Sequence, residues 1–434
     1  MVMRLLLAIA LAGGASRLAA QAPADSVRAV AGIVEFLNAC RRDAGRLWGQ
    51  SLCGPLIAVD GASGFAVATE EPPAGRFQRS GSVWIGRVPT GMSVANTATE
   101  WEGRVWSTVR LPMPTDPFDR LQLLAHEAFH RIQPGLGLSA VDALNPHLDE
   151  RDGRYFLRLE LRALAVAVRT QGPPSRRAAL DGLLFRAARH RRYPGSDSFE
   201  ALLERQEGLA QYTGARIGLT ATNASPARVA RSAADFEGRP SYVRALGYGT
   251  GPLLGLLLDR WAPGWRTGAG TEGQAARLAR ALSFTPPVEL GAALGQRAAR
   301  YGGAALALAE DERAAGRDRV VAGYRATLVD GPVIILAADG LMRSFDPNTL
   351  IPLGDVGTVY PTGSFEAAWG RLTVEHGGAL VPLSNREVRV PAPADGDSVK
   401  SVVATPGYRL ELAAGWRLRA GLRRGDWVVD RALP

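Results

Sequence analysis

The spacing of hydrophobic positions changes character three times along the chain. Residues 25–49 place Val27, Val30, Ile33, Phe36 and Leu37 on one side of a helix. Between residues 56 and 111 the pattern becomes short, alternating and β-rich, with Gly and Pro between the runs 56–59, 64–68, 82–85, 93–98 and 104–111. That reads as a twisted sheet. Helical spacing then dominates from Pro117 to about Val321, over 155–168, 175–191, 198–217, 252–261, 271–282 and 288–317. Beyond Val321 the runs 331–337, 373–382, 387–390, 399–404, 408–412 and 427–429 are short, β-branched and separated by Gly, Asp and Pro. The expected class is α+β. Residues 23–115 supply a helix and a mixed sheet, 116–320 a helical lobe completing one unit with it, and 321–434 a small all-β domain.

The first 22 residues fit none of these elements. Arg4 precedes a short apolar run, and small residues follow through Ala19-Ala20-Gln21-Ala22. This is the layout of a secretory signal peptide, too short to span a bilayer comfortably. No later segment is long enough for a membrane helix, so a periplasmic or secreted protein with no membrane span is expected. Export changes the reading of the two cysteines, Cys40 and Cys53. In an oxidising compartment the expected state is a disulfide joining the first helix to the strand after it. Closing so short a loop contributes roughly 2–3 kcal/mol.

The net charge of +9 raises the question of nucleic acid. Arginine is spread along the whole chain, Lys400 is the one lysine, and no nucleic-acid-binding motif is present. The densest basic run, Arg186 to Arg192, reads as the solvated face of a helix, so no nucleic-acid partner is expected.

The chemistry concentrates in His126-Glu127-Ala128-Phe129-His130, in a chain with five histidines. Imidazoles four positions apart lie on one helical face, one turn from each other, where both can grip one metal ion. The Glu between them can reach a water at the metal's open position. Local signals agree with a helix: Asp116 can cap it, Pro117 suits its first turn, and Gln133-Pro134-Gly135 closes it. Catalytic zinc takes three protein ligands and leaves one position open. A third His closing H-E-x-x-H-x-x-G-x-x-H is excluded, because Gln133 and Leu136 occupy the last two motif positions. Two cysteines cannot complete the site, so a carboxylate further on is expected.

Two later segments carry a family resemblance. The stretch Glu207-Gly208-Leu209-Ala210-Gln211-Tyr212 resembles the third-ligand helix of the gluzincin metallopeptidases, the clan that includes thermolysin, aminopeptidase N and the glycyl aminopeptidases. Tyr242 to Asp259, with Tyr248-Gly249-Thr250-Gly251, resembles the Tyr-bearing segment and apolar helix of aminopeptidase-N-type and glycyl-aminopeptidase-type members. The resemblance implies a thermolysin-like zincin unit holding one Zn²⁺ through His126, His130 and Glu207. It implies Glu127 as general base and Tyr248, or failing that Tyr242, as oxyanion donor. Glu207 follows His130 by 77 positions, a longer interval than is usual in the clan. Glu160, 30 positions after His130, therefore stays open as the alternative third ligand, or as a residue supporting one. The clan also binds substrate backbone along an edge strand, which places Asn96 as a candidate substrate contact.

The function expected is an exported zinc-dependent peptidase acting on a peptide or protein substrate. The alternative is a zinc-binding, non-catalytic envelope or interaction protein of similar fold, which would have no chemical need for Glu127.

Overall fold

The computed structural model describes residues 24–89, 95–141, 143–346, 349–393 and 401–431. The expected signal peptide and the start of the run at 93–98 lie outside them. The chain is mixed α+β with a C-terminal β region, and divides into two compact units between Leu306 and Ala307.

In the first unit, helix α1 (Ala24–Asp43) is followed by six strands: β1 (Leu56–Val59), β2 (Phe65–Ala68), β3 (Arg76–Ser80), β4 (Val83–Arg87), β5 (Thr97–Trp101) and β6 (Arg104–Arg110). They form one sheet in the order β3-β4-β2-β1-β6-β5, antiparallel except for the β1–β6 pair. Strand β1 is central and buried on both faces. Leu56 and Ala58 face the helices, whereas Ile57 and Val59 join Ala66, Ala68 and Trp106 in a smaller core on the other side. The side-chain period of two produces this division. Strand β3 is absent from the sequence reading because Arg-Phe-Gln-Arg-Ser is almost wholly polar. It sits at an edge, where little burial is required. Cys40 and Cys53 are joined by a disulfide with their Cα atoms 5.3 Å apart, tying α1 to the approach of β1.

Helix α2 (Pro117–Ile132) begins as its sequence demands: the Asp116 side chain accepts the Asp119 N–H at 3.0 Å, and Pro117 occupies the first turn. Eight further helices complete the unit: α3 (Arg151–Arg169), α4 (Gly172–Arg192), α5 (Ser196–Leu203), α6 (Leu209–Thr222), α7 (Ala227–Glu237), α8 (Leu246–Trp261), α9 (Gln274–Ala281) and α10 (Gly291–Ala299). Helices α5 and α6 are joined by a π-helical turn, Glu204–Gly208, closed by the Leu209 N–H on the Glu204 carbonyl. Helix α8 starts before Pro252 rather than at it, so that the proline stands inside the helix.

Glycines let these helices approach closely. A Cβ on Gly214 of α6 would lie 2.3 Å from the Gln122 carbonyl of α2. One on Gly251 of α8 would lie 2.3 Å from the Gly208 Cα. Helix α6 is thereby held close to α2, and the π turn close to α8.

Helix α11 (Gly303–Arg325) runs across the division between the units. The second unit contains a seven-stranded and a five-stranded sheet. The sheets share one core that includes Ile334, Leu336, Val388 and Val390 from the first and Phe365, Leu372 and Leu410 from the second.

Candidate metal centre

Helix α2 turns His126, Glu127 and His130 inward. The side chain of His126 is 5% exposed, and its Nε2 lies 3.0 Å from His130 Nε2. The π turn brings Glu207 Oε2 to 3.3 Å from His126 Nε2 and 3.5 Å from His130 Nε2. The extra residue in such a turn changes the direction of the side chains it carries. Here it leaves Glu204 facing away from the histidines and Glu207 facing them.

The other ring nitrogens fix what these three atoms can do. His130 Nδ1 is 2.9 Å from Gln133 Oε1, while Gln133 Nε2 donates to the carbonyls of Leu138 and Arg205 at 3.1 and 3.0 Å. Those carbonyls set the amide orientation, so His130 carries its proton on Nδ1. His126 Nδ1 lies 2.8 Å from Gln211 Oε1, and a proton on that nitrogen completes the pair. Neutral imidazoles with these tautomers direct both Nε2 lone pairs towards the buried Glu207 Oε2, which has no hydrogen-bond donor of its own. Three electron-rich atoms thus converge, and one proton can satisfy only one pair of them.

A tetrahedral cation satisfies all three. Ligand distances of about 2.0–2.1 Å give a tetrahedral edge of about 3.3 Å, and the observed separations of 3.0, 3.3 and 3.5 Å bracket it. Among the described residues, this is the His/Cys/Asp/Glu group placed to hold a metal. The donor set, two nitrogens and one carboxylate oxygen, suits zinc. Outer amide partners that orient both imidazoles are also what metal-binding histidines require.

The surroundings of Glu127 and Tyr248 are equally specific. Glu127 is 4% exposed and its Oε2 has no hydrogen-bond partner. Burial pushes its carboxyl pKa up. Its backbone carbonyl accepts the Ser107 hydroxyl of β6 at 2.9 Å, which ties the helix to the sheet. Glu207 behaves oppositely: burial works against its ionisation, but positive charge on the adjacent His126 and His130, in the place a bound cation would take, holds its carboxyl well below the usual range. The Tyr248 ring stacks on His126 with centroids 5.4 Å apart and 12° between planes. Burial, then the neighbouring Glu207 charge, keeps its phenol protonated.

These groups line one cavity of about 350 Å³ that also reaches Asn96, Thr97 and Ala98 at the start of β5, an edge strand. The Asn96 side-chain Oδ1 accepts the Arg110 N–H at 2.8 Å, so that atom serves the sheet while the residue borders the cavity.

Three expectations require correction. Glu160 is not at the site. It is 1% exposed and its carboxylate receives Arg186 Nε and Arg189 Nη1, both at 2.7 Å. Arg186 and Arg189 are not on a solvated helix face; both are buried and also bind Glu200 and Glu204. The run from 186 to 192 divides by helical phase, with only Arg191 and Arg192 facing solvent. Tyr242 is a core residue: its hydroxyl donates to the Glu237 carbonyl, and its ring lies under the Arg154 guanidinium at 4.2 Å.

Gln133 and Gln211 escaped the sequence reading. Gln211 follows Glu207 by one helical turn, and Gln133 follows His130 by three residues, so position on the correct face was the available signal. Comparison with protein-family models, curated proteins and solved structures finds no match to this chain.

Proposed function

We propose that this chain is an exported zinc-dependent peptidase built around a thermolysin-like gluzincin unit, with His126, His130 and Glu207 as the zinc ligands. The observation that carries the reading is the convergence of three metal-ready donor atoms beside a buried, unpartnered carboxylate, Glu127, in a cavity bordered by an edge strand.

When bound, zinc supplies Lewis-acid polarisation and lowers the pKa of water at its open position. The chain provides the rest. Strand β5 offers free backbone groups to an extended peptide, which orients the scissile bond across the cavity. Glu127 Oε2 is free to take a proton from the attacking water and to pass it to the leaving amine. Its raised pKa makes it a better proton acceptor than an exposed carboxylate. The Tyr248 hydroxyl, held protonated, donates to the oxygen that gains charge. Gln133 and Gln211 hold both imidazoles in the tautomer that keeps Nε2 free. The leader expected at residues 1–22 and the Cys40–Cys53 disulfide both suit an oxidising compartment outside the cytoplasm.

The test is digestion of a peptide library by zinc-loaded wild type and Glu127→Gln, with products identified by mass spectrometry. The variant should keep its metal and lose about 10²–10⁴-fold in rate, the usual contribution of a general base. Cleavage by Glu127→Gln at the native rate would remove the mechanism.

A further inference from the structure

A second cavity, of about 640 Å³, lies between α3 and α7 and has no role in the chemistry above. Its size is that of a small-molecule site. One stripe of α3 (Arg158, Leu161, Arg162, Ala165, Val166, Arg169) forms one wall. The facing stripe of α7 contributes Ala230, Arg231, Ala233, Ala234 and Glu237, and Arg300 and Tyr301 close one end. Alanines on α7 leave the space between the helices unfilled, so the floor is apolar and the surrounding wall is guanidinium.

The charges do not balance. Five arginines line the cavity against one carboxylate, Glu237. Arg158 and Arg162 share it, with Nε–O distances of 2.9 and 2.8 Å. Arg300 is held from behind by Asp181 at 3.2 Å. The exposed Arg169 reaches, among the described residues, only the Ala165 carbonyl of its own helix, at 3.3 Å. Arg231 meets no acceptor among the described residues. Many other arginines of this chain have an acidic partner, as Arg120 has Glu35, Arg228 has Asp119 and Arg266 has Asp259. Crowding five cations around an apolar hollow raises the local potential, which a bound anion relieves. Guanidinium forks are the side chains best shaped to grip carboxylate or phosphate.

We propose that this cavity binds an amphiphilic anion, a molecule with a carboxylate or phosphate head and an apolar chain. Arg169 and Arg231 hold the head, and Ala230, Ala233, Ala234, Leu161 and Val166 cover the chain. The site is independent of the metal centre and does not require peptidase activity.

The test is calorimetric titration of the full chain with dodecanoate and, separately, with dodecyl phosphate, each below its micelle threshold. Inorganic phosphate and dodecanol serve as head-only and chain-only probes. The expected result is saturable 1:1 binding of at least one amphiphile, and the tighter of the two identifies the head group. Arg169→Ala/Arg231→Ala should weaken binding at least about tenfold, because it removes charge-assisted contacts without stranding a carboxylate. Ala234→Leu should weaken it comparably by narrowing the mouth. The proposal fails if neither amphiphile saturates or if the variants bind as wild type does. It fails equally if dodecanol or inorganic phosphate alone binds as tightly as the amphiphile.

Discussion

Replacing Gly251 by alanine tests how Glu207, the proposed third metal ligand, is positioned. A Cβ at this position would lie 2.3 Å from the Gly208 Cα and 2.4 Å from its carbonyl oxygen. Both are backbone atoms, so no side-chain rotation relieves the clash. Ordinary contact begins near 3.4 Å, so α8 and the π turn must part by about 1 Å. Overpacking of this kind costs typically 1–3 kcal/mol, which a unit of this size survives. The displacement falls on Gly208, the residue next to Glu207, and moves a carboxylate whose distances to the imidazoles are 3.3 and 3.5 Å. Metal sites tolerate about 0.2 Å. Gly251→Ala should therefore unfold at somewhat lower urea concentration yet lose zinc affinity by tenfold or more, measured by competition with a chromogenic chelator. Gly295→Ala is the control: a Cβ there meets nothing within 4 Å, and stability should rise by about 0.5–1 kcal/mol with zinc affinity unchanged. Wild-type zinc affinity in a folded Gly251→Ala protein would refute the claim that this close approach aims Glu207.

Two further outcomes follow from other parts of the first unit. Tyr248→Phe keeps the ring stacked on His126, so zinc content should hold while the barrier to peptide hydrolysis rises by about 2.7–4 kcal/mol, read from kcat/KM. Acid stability should depend on Glu200: burial alone would raise its pKa, but Arg189, His147 and His190 hold it well below the ordinary value of 4.5. With the folded pKa below the unfolded one, its contribution is complete above about pH 4.5 and drains away as pH falls towards the folded value. Glu200→Gln should thus cost about 3–5 kcal/mol near neutrality and flatten the acid limb of a melting-temperature profile.

The parts of this molecule legible in its sequence are those set by local spacing. Helix α2 was readable because its cap, first-turn proline and apolar stripe all fall within one short window. The place of Glu207 beside the two histidines was readable through the residues that follow it, not through its distance from His130. The interval of 77 positions is filled by α3, α4 and α5, three helices invisible to a rule based on spacing. What stayed hidden depends on tertiary context. Glu160 sits in a strongly apolar helix, and its Arg186 and Arg189 partners arrive from the next helix, so a local window sees a basic run and an isolated acid. Gln133 looked like a mere absence of glycine, yet its amide bridges His130 and the backbone of the π turn. That turn, too, has no signature in Glu204-Arg-Gln-Glu207-Gly208, because it is imposed by packing against α8.

The central claim, that His126, His130 and Glu207 form a zinc site, is tested most directly by metal content. Wild-type protein and Glu207→Ala should be dialysed against metal-free buffer and assayed by inductively coupled plasma mass spectrometry. The account predicts one zinc per wild-type chain and almost none in a folded Glu207→Ala variant. Wild-type protein without zinc, or a variant that retains it, would contradict the account.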